Sequence, residues 1–261
     1  IESALSNGIY LYYCDSPVVT DNVIETGSST YYYWGIELYR CRYNYEITGN
    51  TVINYEGEGG IYARDNDGTA GNVGIIANNF VNIDGNGDTQ ARGIYTNSTD
   101  YVNVYFNTVR IGISNTHSSS AAFQNSSGSF VNLRNNIFCC FGAGKAFNSN
   151  SSTAIESSDY NCFFTRAKYV AYWINTDIAT FKDYQDVSTR DAHSVFVNPV
   201  FLADDDLHSN SSFIDGAGVA LQGFTTDFDG ELRNDPPDIG ADEFTSTLTP
   251  MTSTYTIGGT T

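Results

Sequence analysis

Short apolar segments alternate with polar positions along most of the chain, and the same arrangement returns six times. Each copy contains two or three runs rich in Ile, Val, Tyr and Phe in which every second residue is apolar, separated by Gly, Asn, Asp and Ser. This alternation is typical of strands, and the residues between the runs are typical of turns. No long window has the spacing of an amphipathic helix. The pattern predicts an all-β chain of short strands.

One asparagine marks the same point in every copy, and successive marker asparagines are separated by 28, 29, 28, 29 and 25 residues. A fixed period in this range indicates stacked repeats, and about 28 residues is too short for a four-stranded propeller blade. We therefore predict a right-handed parallel β-helix (a solenoid) of about six regular coils, each with three strands and three turns. The markers are Asn22, Asn50, Asn79, Asn107, Asn136 and Asn161.

The aligned asparagines need a physical explanation, because a buried amide without a partner costs roughly 1 to 3 kcal/mol. Stacked in register at a turn, each side chain can bond to the coils above and below it. We predict that the six residues form a structural ladder rather than a catalytic or ligand site.

Three rows of residues are predicted to point into the solenoid. Burying each apolar side chain contributes roughly 1.5 to 3 kcal/mol, so the stacked rows stabilise coils that could not fold singly. The row in the first strand is Ile9, Ile36, Ile61, Ile94, Ala122 and Ala146. The row in the second is Val19, Ile47, Ile76, Val104 and Leu133, and the row in the third is Ile24, Val52, Val81, Val109, Phe138 and Phe163.

The residue that follows each inward residue of the first strand is predicted to point outward. An aromatic row there either stabilises the sheet through cross-strand contacts or binds carbohydrate, and the aromatic cluster at 31–34 has the same two interpretations. Glu37 interrupts the row. The candidate carbohydrate-binding residues are Tyr10, Tyr62, Tyr95, Phe123 and Phe147.

The repeat pattern resembles a known superfamily. Gly35-Ile36-Glu37-Leu38 and the later run from Val102 to Val109 are similar to the repeats of pectate-lyase-like right-handed parallel β-helix proteins. The downstream segments Asn198-Pro199-Val200-Phe201 and Asp238-Ile239-Gly240-Ala241-Asp242-Glu243-Phe244 resemble the C-terminal region of large bacterial secreted and surface-anchored β-helix proteins. The resemblance implies an extracellular or cell-surface location and further modules in the same polypeptide.

The resemblance also implies an enzymatic alternative. Lyases of the superfamily use calcium-holding acids with a basic proton abstractor, and its glycosidases use clustered aspartates. The third copy carries an insertion, and insertions in solenoids often lie on the functional face. The candidate catalytic residues there are Asp65, Asp67, Asp84, Asp88 and Arg92. The Gly-His-Gly and Arg-x-Lys elements of the glycosidase pattern do not occur in this sequence.

Calcium is the candidate cofactor. Asp84, Asn86 and Asp88 alternate as oxygen ligands do in calcium loops, but the twelfth position of this segment is Tyr95 instead of a bidentate glutamate. Asp and Gly residues also form ordinary turns, so both interpretations stay open.

The composition narrows the class of partner. The formal charge is −18, with 12 Lys and Arg against 30 Asp and Glu, which disfavours nucleic acid and anionic membranes. No run of 18 apolar residues is present, so the sequence predicts no membrane span. Glycans or other surface proteins remain the expected partners.

The cysteines and histidines give no catalytic signature. The five cysteines are interpreted as buried free thiols, with a disulfide between Cys14 and Cys41 as the alternative, because both stand six residues after an opening glycine. The three histidines, His117, His193 and His208, lack a partner at a diagnostic spacing and are interpreted as structural.

The chain is predicted to divide into four parts. Residues 1–165 form the regular coils, 166–195 an insertion whose short helix caps the stack, 196–244 irregular terminal coils, and 245–261 a linker toward a further module. In the terminal part, Asp227, Asp229 and Arg233 predict either an ion-pair lock or a structural calcium site.

Two functional classes follow. The first is a non-catalytic extracellular module that acts as an adhesin or spacer with carbohydrate binding. The second is a polysaccharide lyase or glycoside hydrolase with its site at the third-coil insertion. A fold by itself does not distinguish them.

Overall fold

The structure, a computed structural model, describes residues 7–26, 33–55, 58–84 and 87–248. Most of them form a parallel β-solenoid of about six turns. The first three coils comprise β1 (Ile9–Tyr12), β2 (Val18–Thr20), β3 (Val23–Thr26), β4 (Trp34–Tyr39), β5 (Glu46–Thr48), β6 (Thr51–Asn54), β7 (Gly59–Arg64), β8 (Gly74–Ala77) and β9 (Phe80–Ile83). The next three comprise β10 (Arg92–Asn97), β11 (Thr99–Tyr105), β12 (Thr108–Ile111), β13 (Ala121–Asn125), β14 (Gly128–Arg134), β15 (Ile137–Cys140), β16 (Lys145–Ser149), β17 (Ile155–Asp159) and β18 (Cys162–Thr165). The chain then forms β19 (Ala171–Trp173), β20 (Thr176–Ile178), the helix α1 (Phe181–Ser188) and β21 (Val195–Phe196).

Equivalent strands of successive coils pair in parallel and build three sheets. Sheet I contains the first strand of every coil, sheet II the second and sheet III the third. Strand β20 pairs antiparallel with β19 at one edge of sheet I, and β21 adds a last strand to sheet III. The backbone groups of each coil are therefore satisfied by the coils above and below.

The two inward rows predicted for sheets II and III are confirmed. Val104, for example, pairs in register with Ile76 in the coil before and Leu133 in the coil after. Every member of both rows is at most 4 % exposed. The interior becomes aromatic in the last coils, where the ring centroids of Phe138 and Phe163 lie 5.9 Å apart.

The inward row predicted for sheet I is displaced by one residue in the last two coils, although Ala122 and Ala146 are themselves buried in the core. Ile94 is in register with Phe123 instead of Ala122, and Phe123 is in register with Phe147. Because side chains alternate with a period of two, a one-residue shift exchanges the two faces of a strand. Phe123 and Phe147 are fully buried in the core as a result. The error arose because Ala122 occupies the position of the opening glycine, which marks the register in the earlier coils.

The marker asparagines form one continuous ladder at the turn between sheets II and III. The side-chain amide of each of the first five donates to Oδ1 of the asparagine in the next coil, at N to O distances of 2.8 to 3.0 Å. The backbone N–H of the same five residues donates to the same oxygen at 3.0 to 3.2 Å. Asn22 is half-buried and the other five are fully buried. The amides are thus satisfied inside the protein and stabilise the turn.

A left-handed residue precedes every ladder asparagine and turns the chain. A residue other than glycine in this region costs roughly 1 to 2 kcal/mol, which the ladder hydrogen bonds offset. The φ angles are 56° at Asp21, 67° at Gly49, 50° at Asn78, 51° at Phe106, 56° at Asn135 and 56° at Tyr160.

The predicted capping helix is α1, which covers the end of the stack. Thr180 begins it, because its side-chain oxygen accepts a hydrogen bond from the backbone N–H of Asp183 at 3.1 Å. Tyr184 is buried with its ring 5.2 Å from that of Phe147. The hydroxyl of Tyr184 donates to Asp191 at 3.0 Å, and Asp191 also accepts a hydrogen bond at 3.2 Å from Asn161, the last ladder residue. The cap therefore closes the core and terminates the ladder.

Residues 197–248, here called the C-terminal strap, turn back along the outer face of sheet III instead of adding coils. The side chain of Asn135 in the fifth coil donates to the carbonyl of Val219 at 2.8 Å. That of Asn78 in the third coil donates to the carbonyl of Thr226 at 3.1 Å. The terminal coils predicted for 196–244 therefore take a different form, a covering segment that runs from the last coil back toward the third.

The strap buries the outward side chains of sheet III. Ile137, Cys139 and Cys162 pack against Ile214 and Ile239 in a second apolar cluster. These outward positions are apolar because they face the strap, so the strands of this sheet are buried on both faces.

Two buried arginines join the strap to sheet III. Arg110, 2 % exposed at its side chain, donates to Asn82 at 2.9 Å and pairs with Asp204 at 2.5 Å. Arg233 donates to the carbonyl of Ala241 at 2.9 Å and lies 3.5 Å from Glu243. The second pair is an ion-pair contact of the kind predicted for this segment.

Residues 245–248, the first part of the predicted linker, contact other residues of the strap. The backbone N–H of Ser246 donates to Asp215, and that of Thr247 donates to Asn210, both at 2.8 Å. The rest of the predicted linker, residues 249–261, lies outside the described residues.

Candidate functional site

An open groove with a volume of about 740 Å³ lies on the outer face of sheet I. Its floor is the outward row of the first four coils, in which Tyr10, Glu37, Tyr62 and Tyr95 follow one another in register. Alternation along the strands places these side chains on one face. The remaining residues that line the groove are Asn7, Tyr33, Trp34, Glu58, Arg64 and Arg92. Residues 31 and 32 of the predicted aromatic cluster lie outside the described residues.

Three aromatic rings stack along the floor. The ring centroids of Trp34 and Tyr62 are 4.5 Å apart, and those of Tyr62 and Tyr95 are 4.6 Å apart with an interplanar angle of 5°. A Cβ atom at Gly59 would lie 2.0 Å from Cζ3 of Trp34, so glycine at this position lets the indole extend over the third coil.

Ring stacking covers most of the aromatic faces. Trp34 is 5 % exposed and Tyr62 is 8 % exposed, whereas Tyr10 at the lower end of the row is 50 % exposed. Burial raises the pKa of Tyr62, although a hydrogen bond from Asn97 lowers it in part, so the phenol is neutral near pH 7. The row makes the cross-strand contacts that stabilise a sheet, and it presents ring edges and the accessible ring of Tyr10 to the groove.

Two residues of the predicted carbohydrate-binding row lie elsewhere. Phe123 and Phe147 are in the core and cannot contact a ligand in the groove. Their outward neighbours Gln124 and Asn148 continue the register of Tyr95 instead. The predicted row is therefore reduced to Tyr10, Tyr62 and Tyr95.

Two carboxylates and two guanidinium groups line the same groove. Glu37 accepts a hydrogen bond from the side chain of Asn7 at 2.5 Å, and its other oxygen lies 4.0 Å from Arg64. Glu58 forms an ion pair with Arg92. These contacts hold the charged groups in place, and their formal charges balance within the groove.

Sequence reasoning did not select Glu37 or Glu58 as site residues. In the sequence, Glu37 interrupts the aromatic row. This interruption is itself a signal, since a carboxylate in the middle of an apolar column requires a donor or cation beside it. Glu58 carried no comparable signal, because its ion pair with Arg92 depends on the stacking of two coils.

The five candidate catalytic residues are not brought together. Asp65 and Asp67 follow β7 and line a different cavity, of about 670 Å³, with Arg40 and Asp100. Arg92 lies at the opposite end of the sheet I strands, because its partner in β7 is Gly59. A strand rises roughly 3.3 Å per residue, so about 20 Å separates Arg92 from Asp65.

The predicted calcium segment lies only in part within the described residues. Asp84 follows β9 in sheet III, where its side chain lies 3.7 Å from Arg110 and 3.4 Å from the hydroxyl of Ser114. Asp88 is exposed, and Asn86 lies outside the described residues.

A different group of metal-ligating side chains occurs on the strap. Ligand atoms of His208, Asp229 and Asp242 all lie within 4.8 Å of one another. Nδ1 of His208 bonds to Asp206, and Nε2 lies 2.9 Å from Asp229. Burial lowers the pKa of His208, but the hydrogen bonds with Asp206 and Asp229 outweigh it and raise the pKa to about 9. Burial raises the pKa of Asp242 to about 6, with His208 opposing the shift.

The other histidines and the cysteines make structural contacts. His193 lies 2.7 Å from Asp159, and His117 accepts a hydrogen bond from the backbone N–H of Ser119 at 3.2 Å. All five cysteines are free thiols. Burial raises the pKa of Cys41 and Cys140 to about 11, which makes these thiols poor nucleophiles.

No model of a known protein family matches this chain, and no curated protein matches it. Across the described ranges, no helix combines the length and apolar character that a membrane crossing requires. The sheet topology supports the resemblance of the repeats at the level of the fold, a parallel β-solenoid.

Proposed function

We propose that this protein is a non-catalytic carbohydrate-binding module of the pectate-lyase-like β-helix type, with its binding site in the groove of sheet I. The observation that carries this proposal is the convergence of Glu37, Glu58, Arg64 and Arg92 on one open groove with an aromatic floor. Carboxylate and guanidinium groups pair with sugar hydroxyls, and aromatic surface packs against sugar C–H groups.

The charge of the groove favours a neutral glycan. The whole chain carries a formal charge of −18, which repels polyanions. Inside the groove each glutamate has an arginine neighbour, so neither sign of charge dominates. We expect binding to depend weakly on salt, because no net charge is neutralised when the ligand binds.

The biological setting belongs to the same proposal. A solenoid of stacked coils is a rigid, elongated scaffold, which suits a spacer or adhesin in a larger bacterial protein. The resemblance of the repeats and of the C-terminal segments to secreted and surface-anchored proteins supports an extracellular or cell-surface location. Other modules of the polypeptide and other surface proteins are the further partners in this proposal.

Binding can be measured with the tryptophan of the groove. The chain has two tryptophans, Trp34 in the groove and Trp173 beneath the cap. In a Trp173→Phe background, the emission of Trp34 should change on titration with a panel of neutral oligosaccharides. Isothermal titration with the same panel gives the affinity independently.

Variants with matched controls assign the site. Tyr10→Ala and Glu37→Gln should weaken binding roughly 10- to 100-fold, as expected for loss of a stacking contact or a charged hydrogen bond. Phe130→Ala and Glu46→Gln change an aromatic residue and a glutamate on sheet II, where Phe130 is 40 % exposed, and should leave the affinity unchanged. Equal effects in both pairs, or no glycan bound by the wild-type protein, would reject the proposal.

A glycoside hydrolase is the second candidate, because Glu37 and Glu58 line one groove and paired carboxylates are the machinery of glycoside hydrolysis. Incubation with the bound glycan and assay of new reducing ends distinguishes the two functions. Release that stops in both Glu37→Gln and Glu58→Gln would identify an enzyme. Binding without release would support the non-catalytic module.

A further inference from the structure

The strap brings together three ligand-type side chains from three separate segments. His208 follows the turn at 203–206, Asp229 lies in the turn at 227–231, and Asp242 lies in the last segment that returns to sheet III. Their ligand atoms are within 4.8 Å of one another. None of the three belongs to the groove of sheet I.

Asp242 is the unusual member of this group. It is 8 % exposed, and among the hydrogen bonds and ion pairs of the described residues none involves its carboxylate, whose neighbours are the ligand atoms of His208 and Asp229. Other buried acids of the strap are satisfied, since Asp227 accepts backbone N–H groups from Glu231 and Glu243 at 2.7 and 2.9 Å. Asp238 also accepts two backbone N–H groups. A carboxylate with so little exposure is unfavourable without a donor or a cation beside it, and that of Asp242 lies within 4.8 Å of the ligand atoms of His208 and Asp229.

His208 is oriented as a metal-binding histidine would be. Its Nδ1 bonds to the carboxylate of Asp206, which directs Nε2 toward Asp229 and Asp242. Its ring packs edge-on against Phe80 of sheet III, with 5.0 Å between centroids. A carboxylate that holds the second nitrogen of a ligating histidine is the common supporting arrangement at metal sites.

We propose that Nε2 of His208 and one oxygen each from Asp229 and Asp242 bind a first-row divalent cation such as Zn²⁺ or Mn²⁺, which fastens the strap. One imidazole and two carboxylates suit these ions better than Ca²⁺, which takes oxygen ligands. The 2.9 Å between Nε2 and Asp229 is a hydrogen-bond distance. Two zinc ligands at about 2.0 to 2.1 Å from the ion lie roughly 3.3 Å apart, so a small side-chain rotation is sufficient.

The position of the site gives the ion a structural role. Within the described residues, the strap has no helix and no strand, and its internal structure consists of turns and isolated bridges. A cation that joins three of its segments closes two loops of irregular chain at once, and binding free energy of this kind adds to folding stability. His208 carries the effect to sheet III through its contact with Phe80.

The test uses the full chain after treatment with a chelator. Zn²⁺, Mn²⁺ and Ca²⁺ are added separately, and heat of binding, melting temperature and cleavage of the strap by protease are measured. We expect Zn²⁺ or Mn²⁺ to bind at one site, raise the melting temperature and slow cleavage. Ca²⁺ should bind much more weakly.

Variants distinguish a metal site from a salt-bridge cluster. In a salt-bridge cluster, Nε2 of His208 carries a proton that lies where the metal ion would bind. Asp242→Asn should weaken metal binding at least 10-fold, because it replaces a carboxylate ligand with a neutral amide. Asp206→Asn, at the positioning residue, should weaken binding by about 10- to 100-fold. His193→Gln is the control. It removes an exposed histidine that pairs with one aspartate, Asp159, outside the proposed site, and it should leave metal binding unchanged.

Three results would overturn the proposal. The first is the absence of Zn²⁺ and Mn²⁺ binding to the wild-type protein. The second is equal binding by wild type and Asp242→Asn. The third is Ca²⁺ binding as tight as that of Zn²⁺, which would indicate an acidic surface without a role for His208.

Discussion

Substitution of one ladder residue, Asn107→Ala, tests the main interaction between coils. Oδ1 of Asn107 accepts hydrogen bonds from the backbone N–H and the side chain of Asn79, at 3.2 and 2.8 Å. Its amide nitrogen donates to Asn136, to the carbonyl of Ile76 and to the carbonyl of Tyr105, at 3.0, 2.8 and 3.1 Å. Alanine removes all five contacts from a fully buried position.

The expected loss of stability depends on which hydrogen-bond partners of Asn107 keep another bond after the substitution. The side chain of Asn79 retains a bond to the carbonyl of Ile47, and Oδ1 of Asn136 retains the backbone N–H of residue 107. The backbone N–H of Asn79 loses its acceptor, which costs roughly 1 to 3 kcal/mol, and the other lost bonds add about 2 kcal/mol. We therefore expect the free energy of unfolding to fall by about 3 to 5 kcal/mol, a large part of the total for most proteins.

Urea unfolding followed by far-ultraviolet circular dichroism measures this loss. The control is Asn103→Ala on the outer face of β11, the strand that precedes Asn107. Its side chain accepts a single hydrogen bond from Asn132 at 3.0 Å, and we expect a loss of at most about 1 kcal/mol. Asn107→Asp preserves size and the acceptor but not the donor, so it should also destabilise. Equal losses in Asn107→Ala and Asn103→Ala would refute the ladder argument.

Three further predictions concern the strap and the thiols. Burial raises the pKa of Asp238 from 3.8 to about 7. The native state therefore holds this proton more tightly than the unfolded chain, and the stability from this group falls as pH rises from about 4 to about 7. Asp238→Asn should flatten that slope, and an unchanged slope would contradict the assignment. Arg233→Ala removes the bonds to the strap backbone and should speed proteolysis of the strap. The control Arg40→Ala, at an exposed residue, should not change the rate of proteolysis. Equal resistance of both variants would show that Arg233 does not hold the strap in place. Denatured protein should titrate five thiols, whereas three would indicate one disulfide, for which Cys14 and Cys41 are the predicted pair.

The repeat could be predicted from the sequence because each coil contacts mainly its neighbours. Period-two alternation placed the inward rows of sheets II and III, and the marker asparagines placed the ladder turn. The alternation failed at Phe123 and Phe147, where alanine replaces the glycine that marks the register. A signal with a period of two residues gives opposite answers when it is displaced by one.

The groove was only partly predictable. The aromatic column of Tyr62 and Tyr95 follows from the repeat, because equivalent positions of successive coils stack. The pairing of Glu58 with Arg92 does not, since these residues belong to different coils and to positions without a periodic pattern.

The sequence alone determined the solenoid, its period and its ladder, because these depend on local alternation repeated at nearly constant spacing. The tertiary structure alone decided where residues 197–248 go. Asn135 meets Val219 and Asn78 meets Arg233, across 84 and 155 residues of chain. Such contacts leave no periodic trace, so the strap, and with it the grouping of His208, Asp229 and Asp242, becomes visible only when the coils are stacked and the chain has returned along them.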